Sequence, residues 1–409
     1  MRFKHIKTLY VGVIVPVVLF CVTSAWGQDP LNIFILAGQS NTVGHARAHT
    51  IATLFPSSEP RDQELIEMVF QSNSGLSKKT LEDQLALGKQ IDDLTGGISN
   101  QKIKTMAAGP EKSKLEAKVK ELKEAHEAYK KRISAACTVS ERVYIHSIAD
   151  RNRSSGKLGI GYGADRSKIG PEYGFGLSMA EKIDGPILII KTSWGGKSLN
   201  YDFRPPSAGP YPLSEKEKAG DKVAEIKQNA SLNFRMMNDS IQEVLANLKE
   251  NHPDYDAKAG YKISGFVWFQ GYNDQFSPEF RDNYKGNMIS FIKDIRKQYN
   301  EPNLPFVIGV LGTGVTAEKV AANQVSVAQR EAAKAPELKE NVIAVESYTE
   351  YSHYSNEVFK KGWPEHFHEW DTVGSDRPYH YLGSGAFFVR LGDAFADSMA
   401  ELMAKQNKP

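Results

Sequence analysis

Ile33-Phe34-Ile35-Leu36-Ala37-Gly38-Gln39-Ser40-Asn41 is an apolar run that ends in a glycine and a polar cluster. An unbroken apolar run suits a strand covered on both faces. Gly38 permits a tight turn that lifts Ser40 out of the sheet at its C-terminal edge, where open α/β sheets bind ligands. There Ser40 has two readings. It either caps the following helix, or it is a nucleophile served by a histidine and by donors facing an oxyanion.

Two further runs end in the same manner. Pro186 to Lys191 leads to Thr192-Ser193-Trp194-Gly195-Gly196, where the glycine pair either brings bare backbone N–H groups to an oxyanion or simply makes a tight turn. Ile263 to Phe269 leads to Gln270-Gly271-Tyr272-Asn273-Asp274, and the neutral amide of Asn273 can face developing negative charge. Arg142 to Ile148, Phe306 to Leu311 and Val342 to Val345 read as further strands, with helices over about 221–250, 279–299 and 316–334. This alternation predicts a central parallel sheet of about five strands with helices on both faces. Residues 200–220, rich in Pro, Gly and Tyr, read as a surface loop beside the site.

Residues 60–136 differ in character. Leu81, Leu85, Ile91 and Leu94 form one helical stripe, and Leu115, Val119, Leu122, Tyr129 and Ile133 another. Gly96-Gly97 and Gly109-Pro110 lie between them, so the segment reads as an antiparallel helical hairpin inserted after the first strand. Glu116 with Lys120 and Glu127 with Lys131 are i,i+4 pairs of a solvated face, and His126 reads as an edge residue. The insertion offers a surface for a protein partner or for self-association.

The chain has 409 residues and 41% hydrophobic content, enough for a sizeable core. Its 51 Lys and Arg against 49 Asp and Glu leave a formal charge of +2, which gives no electrostatic case for nucleic acid. Arg2, Lys4 and Lys7, the apolar run Leu9 to Val22, and Ser24-Ala25-Trp26-Gly27 read as a signal peptide over residues 1–27. Cys21 follows Phe20, where a lipoprotein signal would want a small residue. The mature domain, 28–409, is expected to be exported, periplasmic or secreted, with no stable membrane anchor. It retains Cys137 alone, which excludes an internal disulfide.

The C-terminal stretch carries His353, His366, His368 and His380 among Glu365, Glu369, Asp371 and Asp376. His366-x-His368 with Asp371 could seed a metal site, although the spacing is unspecific. Serine catalysis needs one histidine near the sheet edge, preferably held by a carboxylate. His380, on a loop before the terminal helix and with Asp376 upstream, fits that need. His45 reads as local polar structure.

Gly38-Gln39-Ser40-Asn41, Trp194-Gly195-Gly196, Trp268-x-Gln270-Gly271-x-x-Asp274 and the late Asp…His loop together resemble the SGNH hydrolases. More narrowly, they resemble the carbohydrate esterases that include sialate O-acetylesterases and acetylxylan esterases. The motifs span residues 31–395, and the helical insertion lies outside them. The resemblance implies a flavodoxin-like three-layer α/β/α sandwich and a serine esterase, free of metal or other cofactor, that removes O-acetyl groups from carbohydrates. In it Ser40 matches the nucleophile and His380 the base. The Ser40 amide, Gly195 or Gly196, and Asn273 match the oxyanion hole.

This sequence departs from the family in two places. Tyr272 and Asn273 stand where such esterases often carry an acidic and a small residue. Asp376 precedes His380 by four residues where many relatives have three, so Glu369, Asp371 or a backbone carbonyl competes to orient the ring. Gln39 and Gln270 either order the pocket or hydrogen-bond the turns. Trp194, Tyr211, Trp268 and Tyr272 either stack on the sugar or belong to the core. The competing readings are a catalytically silent glycan-binding or scaffold protein, and a lipase or thioesterase of the same fold.

Overall fold

Every residue of β1, Leu31–Gly38, is buried. In the computed structural model, which describes residues 29–150, 152–313, 316–338 and 341–406, six more strands join it in one sheet. They are β2 (Val143–Ala149), β3 (Asn152–Lys157), β4 (Ile187–Ser193), β5 (Tyr261–Phe269), β6 (Phe306–Val310) and β7 (Val342–Glu346). Their spatial order is β3-β2-β4-β1-β5-β6-β7, parallel throughout except that β3 runs antiparallel to β2. The leader, with Cys21 and the expected cleavage after Gly27, lies outside the described residues. Among those described, no helix is long and apolar enough to cross a membrane.

Among the described residues the sheet therefore has seven strands, not about five: the six runs read from the sequence all form strands, and one edge strand was missed. The missed edge strand, Asn-Arg-Ser-Ser-Gly-Lys, has no apolar alternation and is largely exposed. Backbone pairing with β2 makes it a strand, and periodicity carries no trace of that pairing.

The insertion is helical. It contains α1 (Pro60–Val69), α2 (Lys78–Thr95) and α3 (Pro110–Ala135). The last two are antiparallel: Tyr129 donates its hydroxyl to the Thr80 carbonyl, and Gln84 Nε2 donates to the His126 carbonyl at 3.2 Å. Leu81, Ile91, Val119, Leu122 and Ile133 are buried as their stripes require. His126 is not at an edge. It is 1% exposed, with Nε2 3.1 Å from both the His368 carbonyl and Thr372 Oγ1. The outer ion pairs also differ from expectation, Lys118 meeting Glu121 at 3.1 Å and Lys120 meeting Glu124 at 3.9 Å. Lys130 is buried and turns inward to Asp371.

Because side chains alternate along a strand, β1 feeds two cores. Phe34 and Leu36 face α4 (Pro171–Lys182) and the terminal helix over Gly385–Gln406, with Phe34 edge-on to Phe175 at 5.4 Å. Leu31, Ile33, Ile35 and Ala37 face α5 (Leu232–Ala246) and α6 (Pro278–Gln298). Burial on both faces explains the unbroken apolar run, at about 1.5–3 kcal/mol for each large side chain. Cys137 is free and buried, and burial pushes its thiol up to about 12.

Candidate active site

At the end of β1 the backbones pack too closely for any side chain. A Cβ on Gly38 would lie 2.2 Å from the Phe269 carbonyl oxygen and 2.3 Å from Thr42 Oγ1. Thr42 Oγ1 donates to that carbonyl at 2.6 Å. The chain then enters a single helical turn, Ser40–Val43, whose N-cap is Gln39. Ser40 is thus the first helical residue and not the cap. It is half-buried at the sheet edge, between buried Gln39 and Asn41.

Gln39 ties this turn to the end of β5. Its Oε1 accepts from Gln270 Nε2 at 3.2 Å, Gly271 N at 3.2 Å and Asn273 N at 3.3 Å, and its Nε2 donates to Asn273 Oδ1 at 3.1 Å. Gln39 and Gln270 are nearly fully buried, so they order the turns and offer little surface to a substrate. Asp274, fully buried, accepts from Leu199 N at 2.9 Å, Asn200 N at 3.0 Å and Gln270 Nε2 at 2.6 Å. Burial pushes its carboxyl up to about 7 against these hydrogen bonds. Asp274 thereby pins the loop after β4 to the loop after β5.

The two glycines after β4 are not equivalent. Gly195 N donates to Asp150 Oδ1 at 2.8 Å, which takes it away from an oxyanion. Among the described residues, the N–H groups of Ser40 and Gly196 have no intramolecular hydrogen bond. Gly196 has φ 70°, with nothing within 4 Å of where a Cβ would stand. Asn273 Nδ2 donates to the Gly196 carbonyl at 3.0 Å, so one of its two N–H groups is engaged.

The histidine loop reaches the same edge. Asn41 Nδ2 donates to the Tyr379 carbonyl at 3.1 Å, and the next residue, His380, has Nδ1 3.1 Å from Asp376 Oδ1. Burial would push the Asp376 carboxyl up, but hydrogen bonding to His380 and His45, and Arg377 N at 2.7 Å, outweigh it and hold the group well below the carboxylate range. The competing acids are engaged elsewhere, Glu369 by Lys361 and Asp371 by Lys130 and Arg47. Among the described residues, no hydrogen bond joins Ser40 Oγ to His380.

Backbone conformation makes the four-residue spacing work. Tyr381 (φ 50°), Leu382 (φ 63°) and Gly383 (φ 55°) are consecutive left-handed residues. They turn the chain so that Ser375 N and Asp376 N both donate to the Leu382 carbonyl, at 2.9 and 3.1 Å. Left-handed Tyr and Leu each cost about 1–2 kcal/mol. The buried Tyr381 hydroxyl helps to hold them, accepting from Gly312 N at 2.9 Å and meeting Ser347 Oγ at 2.9 Å.

His366, His368 and Asp371 do not converge on one point. His368 N and Nδ1 meet the Asp92 carboxylate at 2.9 and 2.8 Å, His366 Nδ1 lies 3.4 Å from Glu369, and Asp371 pairs with Lys130. The cluster fastens the helix Phe367–Val373 to the insertion.

Trp194 and Trp268 lie in the core. Trp268 is fully buried edge-on to Phe203 at 5.1 Å, and Trp194 packs 6.0 Å from the same ring, which leaves neither face to a sugar. Tyr211 is half-buried, with its hydroxyl 3.3 Å from Glu217. Tyr272 stays at the surface, 5.2 Å from Phe276 and 5.8 Å from Tyr379. These three rings border a cleft of about 580 Å³ that Lys319 and Asn323 also line. Phe276 and Tyr379 were not singled out from the sequence. Their places, just after Asn273-Asp274 and just before His380, are the signal that could have found them.

Residues 157–357 match the model of the family described as SASA, carbohydrate esterase, sialic acid-specific acetylesterase. This stretch, a little under half of the chain, is similar to that family of carbohydrate esterases. The match supports an ester-hydrolysing enzyme acting on acetyl groups of carbohydrates. The matched residues include Gly195, Gly196, Gln270 and Asn273, whereas Ser40, Asp376 and His380 lie outside them. No curated protein matches the chain. Three solved structures are similar to the esterase. One is a protein from Arabidopsis thaliana (15% identity, 91% of this chain and 98% of that one, TM-score 0.43). The second is a carbohydrate acetylesterase from Xanthomonas citri (11%, 77% and 49%, TM-score 0.35). The third is NanS (12%, 78% and 78%, TM-score 0.34).

Proposed function

We propose that the esterase removes O-acetyl groups from carbohydrates through an acetyl-enzyme on Ser40, with His380 as general base and Asp376 orienting it. Ser40 Oγ attacks the acetyl carbonyl carbon while its proton passes to His380 Nε2. The oxyanion is met by the N–H groups of Ser40 and Gly196 and by Asn273 Nδ2. The tetrahedral intermediate collapses, the bond to the sugar oxygen breaks, and His380 returns the proton to that oxygen. Water, deprotonated by His380, then releases acetate and restores Ser40. The sequence calls on no metal for any of these steps. Tyr272 and Tyr379 face the sugar, and residues 1–27 direct the mature protein to the periplasm or the medium.

The observation that carries this reading is the contact at 3.1 Å between Asn41, beside Ser40, and the carbonyl of Tyr379, beside His380, together with the Asp376–His380 hydrogen bond. The test is hydrolysis of a chromogenic acetyl ester by the mature protein, Ser40→Ala and His380→Ala, with a chelator control. Activity that resists chelation and falls about 10³-fold or more in both variants is expected. Activity surviving in Ser40→Ala overturns the mechanism. Acetylated xylan and O-acetyl sialic acid then rank the sugars.

A further inference from the structure

A second imidazole stands in the site with no part in these steps. The rings of His45 and His380 are stacked, 6° from parallel with centroids 4.0 Å apart. Both turn Nδ1 toward one carboxylate: His380 lies 3.1 Å from Asp376 Oδ1, and His45 lies 3.4 Å from Asp376 Oδ2. All three side chains are largely buried. The backbones are fastened too. Ser375 Oγ, from the residue before Asp376, lies 3.2 Å from the His45 carbonyl and 2.9 Å from that of Gly383, and accepts from Arg47 N at 3.0 Å.

Two nearly parallel imidazoles aim their Nδ1 atoms side by side, each at its own carboxylate oxygen. That suits two donors on one acceptor better than three ligands converging on an ion. The charges that face His45 are Asp376, His380 and Lys168. Burial lowers its pKa first of all, His380 and Lys168 lower it further, and Asp376 opposes them without prevailing. Held neutral in this way, His45 has an Nδ1–H to offer Asp376 when it takes that tautomer.

We propose that His45 is a positioning residue of the esterase, stacking on His380 and occupying the second oxygen of Asp376 so that the ring of His380 keeps one orientation and one tautomer. This rests on the reading of Ser40 and His380 given above. With Nδ1–H committed to Asp376, His380 presents a bare Nε2 to the serine proton. By sharing Asp376, His45 also moderates that carboxylate's pull on a protonated His380.

The test compares wild type, His45→Phe, His45→Asn and His380→Ala on a chromogenic acetyl ester across pH 5 to 8.5. His45→Phe keeps a stacked ring but no donor. A kcat about tenfold lower, a KM within about twofold, and an acidic limb moved to higher pH are expected, because Asp376 then serves a protonated His380 alone. Asn places an amide nitrogen where Nδ1 stood, so His45→Asn should restore kcat to within about threefold and return the limb. If His45→Phe fails to fold, wild-type protein labelled with ¹⁵N-histidine decides. Its spectrum should contain downfield Nδ1–H signals from both His45 and His380, and a signal from His380 alone overturns the proposal. Wild-type kcat and pH profile in His45→Phe, with activity lost in His380→Ala, overturns the role of His45 only. Wild-type activity in His380→Ala overturns the esterase mechanism, and this role with it.

Discussion

Asn41 and Tyr379 are 338 residues apart in the chain, yet Asn41 Nδ2 donates to the Tyr379 carbonyl at 3.1 Å. This one hydrogen bond joins the residue after Ser40 to the residue before His380. Asn41→Ala removes it at a net cost of about 1 kcal/mol. A modest fall in Tm and a several-fold fall in kcat are expected. Asn41→Asp should be worse on both counts, since a carboxylate oxygen would then face the carbonyl. Equal behaviour of the two variants would contradict this role.

Tyr381→Phe should destabilise the protein by about 1–3 kcal/mol, because Gly312 N and Ser347 Oγ lose a buried partner. Its ring would still stack on Phe387 at 4.0 Å, so packing is retained. Calorimetry with parallel kcat measurements checks it. A lower Tm and a lower kcat together are expected, as the left-handed turn behind His380 loosens.

Lys130 from the insertion and Asp371 from the helix Phe367–Val373 form a buried pair, 6% and 8% exposed. Lys130→Met leaves a buried carboxylate with only Arg47, 3.2 Å away, and should cost about 3 kcal/mol. Lys130→Met combined with Asp371→Leu should recover much of that loss. Denaturant unfolding of the single and double variants measures the difference.

Acid should destabilise the fold through His49 and His126, both pushed down to about 4, chiefly by burial. A histidine whose pKa is lower in the folded state stabilises it above its unfolded value, about 6.5. That contribution is lost as pH falls toward 4. Tm should therefore fall between pH 7 and 4, and His126→Gln should flatten the fall. A Tm that rises on acidification would contradict the assignment.

Tyr272→Ala should raise KM for an acetylated sugar by about fivefold, the loss of about 1 kcal/mol of ring contact. KM for a small chromogenic acetate should barely change. A parallel change on both substrates would place Tyr272 in the scaffold and not against the sugar.

Much of the architecture was legible because it is written in local patterns. The apolar runs of β1, β4 and β5 mark strands buried on both faces, and the glycines after them mark the edge where Ser40, Gly196 and Asn273 stand. The stripes through Leu81 and Val119 likewise announce the insertion's helices. Residues 152–157 were illegible, since an exposed strand held by backbone pairing needs no apolar alternation.

At the site, residue identity alone nominated Ser40, Asn273, His380 and Asp376. Only the tertiary structure decided that Asp376, and not Glu369 or Asp371, meets His380, because two left-handed residues that no propensity would favour reshape the loop. It also decided that Asp150 takes the Gly195 amide, that Trp194 and Trp268 belong to the core, and that His45 lies against His380. The hydrophobic pattern that selects strands and helices acts within a few residues. Hydrogen-bond partners, burial and stacking depend on groups that meet only after the chain has folded.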